Sequence, residues 1–475
     1  MNLKKFLYIG LATLTIGSLT ACGGDTESAS TEDTKVVKED IKEEVKVVKE
    51  EVKEEVEKEQ EEVRDLGGLV VTIASWADVV EPNEKKSAQE EALWEYRHEM
   101  MEKHNFKFEE LALTTWDGML ELMSTSTLAG EPAAEIFRFQ SNFNLAAKNS
   151  GLAYDIATLD SIDLTDSKWS STLIDIMTEG DSVYGLATFG RPSKVLFFNK
   201  RILEEAGIEP DSLYDMQANG TWTWEAFMEL SEKVTQDTDN DGVNDIYMLP
   251  MHSGSFAQAT IFSNGGSYLG IDENGDYFNN LESPESIEAF EWIADYWKTD
   301  YDAYPSHWNG HLEMFTTGKT AFFLGDEWQC TVLTPTAMSD DWGMVAFPKG
   351  PSGDNYIGIY SDAAWVIPNT YTKEEAEDIA FALDIWTNKA PEYDYEEIWM
   401  TELYPLYRDA RAIEETLAML RQPENAKAFH ASFLAQNIKI NQAFDDVFWN
   451  KTTPMEGLEA QRGLWEAEIK KLNEK

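Results

Sequence analysis

"LVVTIASW" (Leu69–Trp76) and "FKFEELAL" (Phe106–Leu113) decide how this chain folds, because of what lies between them. The first is a short run of mainly β-branched residues, as expected of a strand buried on both faces. The second alternates Phe106 and Phe108 with Lys107 and Glu109. Between them, residues Glu84–His104 carry charged and apolar side chains at helical spacing, which predicts an amphipathic helix. Strand, helix, strand is the unit that places two strands parallel. "WDGMLELMSTSTLAG" (Trp116–Gly130) then reads as a second helix, closed by its glycine, and "AAEIFRF" (Ala133–Phe139) as a third strand. Alternation of this kind predicts an α/β domain with a largely parallel sheet.

In such sheets ligands bind beyond the carboxyl ends of the strands. The candidates there are Trp76, Ala77 and Asp78 after the first strand, Thr115 and Trp116 after the second, and Phe139, Gln140 and Asn142 around the end of the third. A second αβ pattern starts at "SKVLFFNKRILEEAGI" (Ser193–Ile208), a strand running into a helix stopped by Gly207. Thr223 is the expected N-cap of the next helix. "NNLESPESIEAFEWIADYWKTD" (Asn279–Asp300) predicts a long helix and "TGKTAFFLGDEW" (Thr317–Trp328) a strand. "AAWVIP" (Ala363–Pro368) is another strand, followed by a helix over Lys373–Asn388 and helices broken at Pro405 and Pro454.

The 475 residues are too many for one core and enough for two lobes with extensions. The chain opens with Lys4 and Lys5, an apolar run over Phe6–Ile16, and Leu19-Thr20-Ala21-Cys22. That is a secretory signal ending in a lipobox, with Cys22 as the lipidated residue of the mature chain. Residues 22–65 are acidic, basic and valine-rich without an aromatic. Val37, Ile41, Val45, Val48, Val52 and Val56 form a thin helical stripe, read as a charged tether rather than a coiled coil. Of two cysteines, Cys330 is the other. With Cys22 lipidated no internal disulfide forms, and Cys330 is expected as a small buried side chain. The net charge of −50 argues against a nucleic-acid partner.

"KVTQDTDNDGVNDIYMLP" (Lys233–Pro250) crowds carboxylates that repel one another unless a cation sits among them. Asp237, Asp239, Asp241, Gly242 and Asp245 match positions 1, 3, 5, 6 and 9 of a calcium loop, with the Val243 carbonyl at 7. Position 12 is Met248 instead of the closing glutamate. A structural Ca2+ serving as a clip is the expectation, against a solvated acidic turn. His307 and His311 are spaced four apart, but Pro305, Asn309 and Gly310 argue against one helix carrying both.

Several stretches resemble extracellular solute-binding protein family 1, the carbohydrate-binding group that includes maltose-binding protein. They are "STLAGEPAAEIFRF" (Ser126–Phe139), "YGLA" followed by "LFFNKRILEEAGI", "TWTWEAF", "SNGGSYL", "SPESIEAFEWIADYW", "FTTGKTAFFLGDEW" (Phe315–Trp328) and "AFPKGP", in that order from about Leu66 onward. The resemblance implies a two-lobed periplasmic-binding-protein-like α/β fold with a hinge and an interlobe ligand cleft. In this chain the lobes would be 66–185 with 350–400 returning to it, and 186–349 with 401–475, after a signal peptide at 1–21. It implies Trp328 as a sugar platform, Phe139 in a similar place on the first lobe, Asp78 and Asn142 as hydroxyl-binding groups, and Trp308 in the cleft. Asp326 and Glu327 depart from the common pattern: they could grip ligand hydroxyls, or favour a cationic ligand such as an amino sugar.

Sugars present apolar C–H faces and a rim of hydroxyls, which suits aromatic platforms flanked by fixed carboxylates or amides. The resemblance further implies a monomeric lipoprotein outside the membrane, held there by its lipid anchor. It would capture an oligosaccharide and hand it to the permease subunits of an ABC transporter. The alternative is a secreted carbohydrate-active hydrolase. Asp326 and Glu327, adjacent on a strand, would point to opposite faces and could not flank one glycosidic bond. No nucleophile elbow, phosphate loop or complete metal site is legible, so a binding protein is the expectation.

Overall fold

The computed structural model describes residues 63–474 apart from 86, 306, 308, 394–397 and 436. The signal sequence, Cys22, nearly all of the tether, and Trp308 therefore lie outside the described residues. Residues Asp65–Lys475 form one compact unit.

The first lobe begins with β1 (Leu69–Ser75), α1 (Ala88–Lys103), β2 (Phe106–Ala112), α2 (Met119–Leu128) and β3 (Ile136–Phe139). Ser87 caps α1 by accepting from the Glu90 amide, with Glu90 and Glu91 in the first turn and Lys103 in the last, each favourable to the helix dipole. β1 pairs in parallel with β2, Ser75 opposite Ala112, and with β3, Ala74 opposite Phe137. All three strands therefore end at one edge.

The second lobe contributes β4 (Val195–Asn199), α3 (Trp224–Val234), α4 (Ser253–Ser263), α5 (Pro284–Tyr296), β5 (Phe322–Gly325) and β6 (Trp342–Val345). Thr223 caps α3 as expected. The second αβ pattern does not build a second parallel sheet: its strands run in the order β6-β4-β5 and both pairings are antiparallel. Aromatic pairs fix the register. Phe197 faces Phe323 and Phe198 faces Phe322, with ring centroids 6.1 Å apart in each pair. Gly343 leaves room for them, since a Cβ there would sit 2.2 Å from the Phe198 ring.

Helix α4 was not legible as a helix. Its Gly254 and every residue from Phe256 to Ser263 are buried, so no polar face marks the period. Around it Trp222, Phe227, Tyr296 and Trp342 fill one large core.

The chain then runs through β7 (Gly358–Tyr360), β8 (Ala364–Val366), α6 (Lys373–Thr387), β9 (Ala426–Ala428), α7 (Gln442–Phe448) and α8 (Pro454–Asn473). β8 joins the first sheet antiparallel to β3, and α6 packs its Ile379 and Leu383 into a first-lobe core. Helices α7 and α8 return to the second-lobe core through Phe444, Leu458 and Trp465. Between the lobes, residues 186–193 run antiparallel beside 359–365, with bridges at Leu186–Trp365 and Ser193–Ile359. β9 lies parallel to β7 as a third crossing segment. These crossings are the hinge.

Candidate functional site

The common edge of β1, β2 and β3 gathers most of the first-lobe candidates. Trp76 is half-buried, and the Arg138 guanidinium lies 4.8 Å from its ring centre. Arg138 is held by Glu110 at 2.8 Å. One face of Trp76 is thus already covered by a cation. Asp78 Oδ1 accepts from the Ala112 amide at 2.7 Å, which ties the loop after β1 to the end of β2. Trp116 is 44% exposed and leans on Phe143 at 6.1 Å. Gln140 starts the short turn Ser141–Phe143, which carries Asn142 next to the Phe143 that Trp116 leans on. Asn142 Oδ1 is buried without a hydrogen-bond partner. A buried acceptor left open in this way is costly unless something supplies a donor.

Phe139 is a correction. Its ring is fully buried, packed in the core with Phe137 and Ala364, so it supports the sheet and offers no platform. The edge holds a residue that sequence reasoning missed. β8 enters the sheet antiparallel, Ala364 opposite Phe139, which places Asp362 at the same edge. Ser170 donates to Asp362 Oδ2 at 2.6 Å, and the buried Asn144 donates to its carbonyl at 2.8 Å. Burial pushes the Asp362 carboxyl up to about 6. Gly190 from the other crossing segment packs so close that a Cβ would lie 1.6 Å from Asp362 Oδ1.

On the second lobe the edge is built where β5 ends and β4 begins. Val195 pairs with Gly325, so Lys194 and Asp326 face each other and form an ion pair of 2.9 Å. Lys194 takes a left-handed φ of 63° to make that approach. Asp326 also caps a short helix over Glu327–Thr331 together with Gln329. The expectation that Glu327 grips ligand hydroxyls is overturned: it is 1% exposed, accepts from the Tyr407 hydroxyl at 2.6 Å and pairs with Arg191 Nε at 3.3 Å. The chain turns helical after Asp326, which rotates Glu327 inward and Trp328 outward. Trp328 is 51% exposed. Cys330 is buried as expected, its thiol pushed up to about 12 by burial.

The same wall continues into His252, the N-cap of α4, whose ring lies 5.6 Å from that of His311. Burial holds the His252 pKa down, with His311 and Lys194 adding to it and Asp445 opposing. His311 Nε2 sits 3.1 Å from the Met251 carbonyl, while His307 precedes the helix Gly310–Thr316 and is 58% exposed in its side chain. The pair does not share a helix. Lys194, His252 and Arg191 carry no signal in isolation. Only the strand pairing shows that Lys194 faces Asp326.

The acidic loop stands apart. Carboxylates of Asp237, Asp239 and Asp245 come within 4.8 Å of one another. Asp241 instead accepts from the Val243 amide at 2.8 Å and does not join the trio. Asp237 accepts from the amides of Asp241 and Gly242, and Asn240 and Gly242 take left-handed φ values of 59° and 92°. Thr238 donates to Asp245 through its hydroxyl and amide, and these bonds hold that carboxyl below its usual range. Three hard oxygen donors on a tight loop fit Ca2+.

Residues 95–412 match the family model of bacterial extracellular solute-binding protein. No curated protein matches the sequence. Among solved structures, the GacH receptor of Streptomyces glaucescens shares 15% identity over 85% of this chain and 99% of its own, with a TM-score of 0.57. The cyclic α-maltosyl-1,6-maltose binding protein of Arthrobacter globiformis shares 13%, covering 85% and 100%, at 0.61. An ABC substrate-binding protein of Listeria monocytogenes shares 16%, covering 85% and 98%, at 0.56. At such identities the likeness is one of fold.

Proposed function

The chain belongs to the bacterial extracellular solute-binding proteins, and from that premise we propose that it captures a neutral oligosaccharide between its lobes and delivers it to an ABC importer. The observation that carries this reading is Trp328, an indole 51% exposed at a strand end beside a fixed ion pair. An aromatic face next to ordered polar groups is what a sugar ring asks for. Trp116, 44% exposed and leaning on Phe143, supplies the first-lobe half-site together with the neighbouring Asn142 acceptor. Pairing supports a neutral ligand. Asp326 has Lys194 and Glu327 has Arg191, so neither carboxylate is left to select a cation. Proteins of similar fold seen in complex with acarbose, cycloalternan or maltotetraose agree with a glycan ligand.

Capture is a population shift. The open form presents each half-site singly, and ligand favours closure because only the closed form contacts both. The hinge crossings at 186–193 and 359–365 are the segments that would bend. The protein acts outside the cytoplasm as a monomer, tethered through lipid on Cys22, and returns its ligand chemically intact. The Asp237–Asp239–Asp245 loop holds Ca2+ as a clip on the second lobe, adding stability and no chemistry.

A thermal-shift screen against mono- and oligosaccharides tests the function, since a ligand that binds only the folded state must raise its melting temperature. Chromatography of the recovered ligand separates binding from hydrolysis. Cleavage with turnover would hand the protein to the hydrolase class.

A further inference from the structure

A group of aromatic side chains stands outside the cleft edges already described. Trp449 is 62% exposed and Tyr304 is 50% exposed. Phe448 joins them, with ring centroids 4.9 Å from Trp449 and 5.2 Å from Tyr304, and is itself backed by Trp297 at 5.0 Å. The half-buried ring of Phe448 thus holds two exposed rings in place, and the Trp297–Phe448 contact ties them to the second-lobe core. Exposed aromatics grouped in this way mark a binding surface more often than scattered ones do.

Its position says what binds. Phe448 ends α7 and Trp449 is its C-cap, three and four residues after Asp445, and the Trp449 amide donates to the Asp445 carbonyl at 3.0 Å. Asp445 accepts from the Ser253 hydroxyl at 2.6 Å, next to the N-cap His252 of α4. Ala303, the neighbour of Tyr304, bridges Pro250 on the strand-like segment that leads into His252. His252 in turn responds to the charge of Lys194, the partner of Asp326. The aromatic group is therefore linked to His252 through Asp445 and Ser253. Polar atoms rim it, with Asp446 paired to Lys451 at 3.0 Å and Asn450 in a left-handed turn.

We propose that Tyr304, Phe448 and Trp449 form an outer aromatic ledge that takes additional rings of a long oligosaccharide extending from the cleft along the second lobe. The inference rests on the sugar-binding reading and deepens it to a substrate class, chains longer than the cleft alone can hold. The occupant is a glycan because the ledge repeats the composition of the inner site, exposed rings with a fixed ion pair beside them, and is tied through Asp445 and Ser253 to His252.

The test compares full-length wild type with Trp449→Ala and Tyr304→Ala by titration calorimetry against two sugars of one linkage. Maltose with maltohexaose is the first pair, and mannobiose with mannohexaose the second. Each variant should weaken the hexasaccharide about fivefold to tenfold and leave the disaccharide within twofold. Trp449→Phe should recover most of the loss, since a ring is retained. Both side chains are half or more exposed, so melting temperatures should stay close to wild type. Equal affinity for both lengths in wild type, or equal effects of the variants on both lengths, overturns the ledge while leaving the sugar reading intact. Unchanged affinity for both sugars in the variants also overturns it, and makes the aromatic group a contact for another macromolecule. If wild type binds neither series, the ledge falls together with the oligosaccharide function.

Discussion

Trp222 and Trp328 lie in the same lobe and do opposite things. Trp222 is fully buried, donates its indole N–H to the Ala346 carbonyl at 2.9 Å and stacks near Phe322 at 6.3 Å. Trp328 sits three residues beyond the strand that holds that same Phe322, and half of its surface faces solvent. Both are large apolar rings with one donor. What separates them is where the chain turns: Asp326 ends β5 and starts a helical turn that throws Trp328 outward. On the proposed reading both kinds are needed, because a platform works only when the lobe beneath it does not move.

The contrast can be broken by mutation, and the core side should give the largest effect. Trp222→Ala leaves a cavity beside Phe227 and Phe322 and a carbonyl without its donor, and should cost about 3–5 kcal/mol of stability. Denaturant unfolding measures it. A loss below about 1 kcal/mol would mean that the core closes up and that Trp222 is not structural in the sense described.

Calcium comes next. Chelation should lower the melting temperature and Ca2+ should restore it, with about 2.7 kcal/mol expected at a concentration 100 times the dissociation constant. Asp239→Ala should abolish that response and leave sugar affinity within twofold, because the loop is built from residues remote in sequence from either edge of the cleft. Identical melting of the chelated and Ca2+-loaded protein would reduce the loop to a turn.

Asp362 sharpens the comparison at the hinge, where a half-buried carboxyl packs between the two crossing segments. Its carboxyl is raised to about 6 from an ordinary value of 3.8, by burial first, with Ser170 and Arg421 opposing. A raised carboxyl means that the folded state binds the proton more tightly than the unfolded chain. Its stabilising contribution is therefore complete below about pH 4 and is lost as pH rises through about 6. Asp362→Asn removes that loss. Relative to wild type the variant should gain on the order of 1–2 kcal/mol between pH 4 and pH 7.5, read from urea unfolding at both values. A difference between the two proteins that does not change with pH would show that the carboxylate is solvated in place.

The smallest effect belongs to the first-lobe edge. Trp116→Ala should weaken sugar binding by about 1 kcal/mol, roughly fivefold, with little change in melting temperature. Trp116 leans on Phe143 and is partly committed to that contact, which is why less is expected of it than of Trp328. A loss larger than that at Trp328 would reverse the ranking of the two lobes.

Much of this was legible in the sequence. The alternation from Leu69 to Phe139 reads as α/β and folds as a mainly parallel sheet, and Thr223 caps the helix it was expected to cap. What could not be read follows from contacts distant in sequence. β4 and β5 pair antiparallel across more than a hundred residues, and nothing local in either strand sets that direction. Phe139 ends its strand on the same side as Phe137, and period-two alternation cannot say whether that side meets the core or the cleft. Glu327 was misplaced because the strand was extended through it. Lys194 and Asp362 were missed because a single charged residue carries no pattern until its neighbour across the sheet is known.

The central claim is that a sugar ring lies on Trp328. Titration calorimetry of wild type and Trp328→Ala with the best-binding neutral oligosaccharide, at matched melting temperature, tests it most directly. The account predicts a loss of about 2 kcal/mol or more, roughly thirtyfold in affinity, in a protein that remains folded. An affinity equal to wild type in the well-folded variant would contradict it.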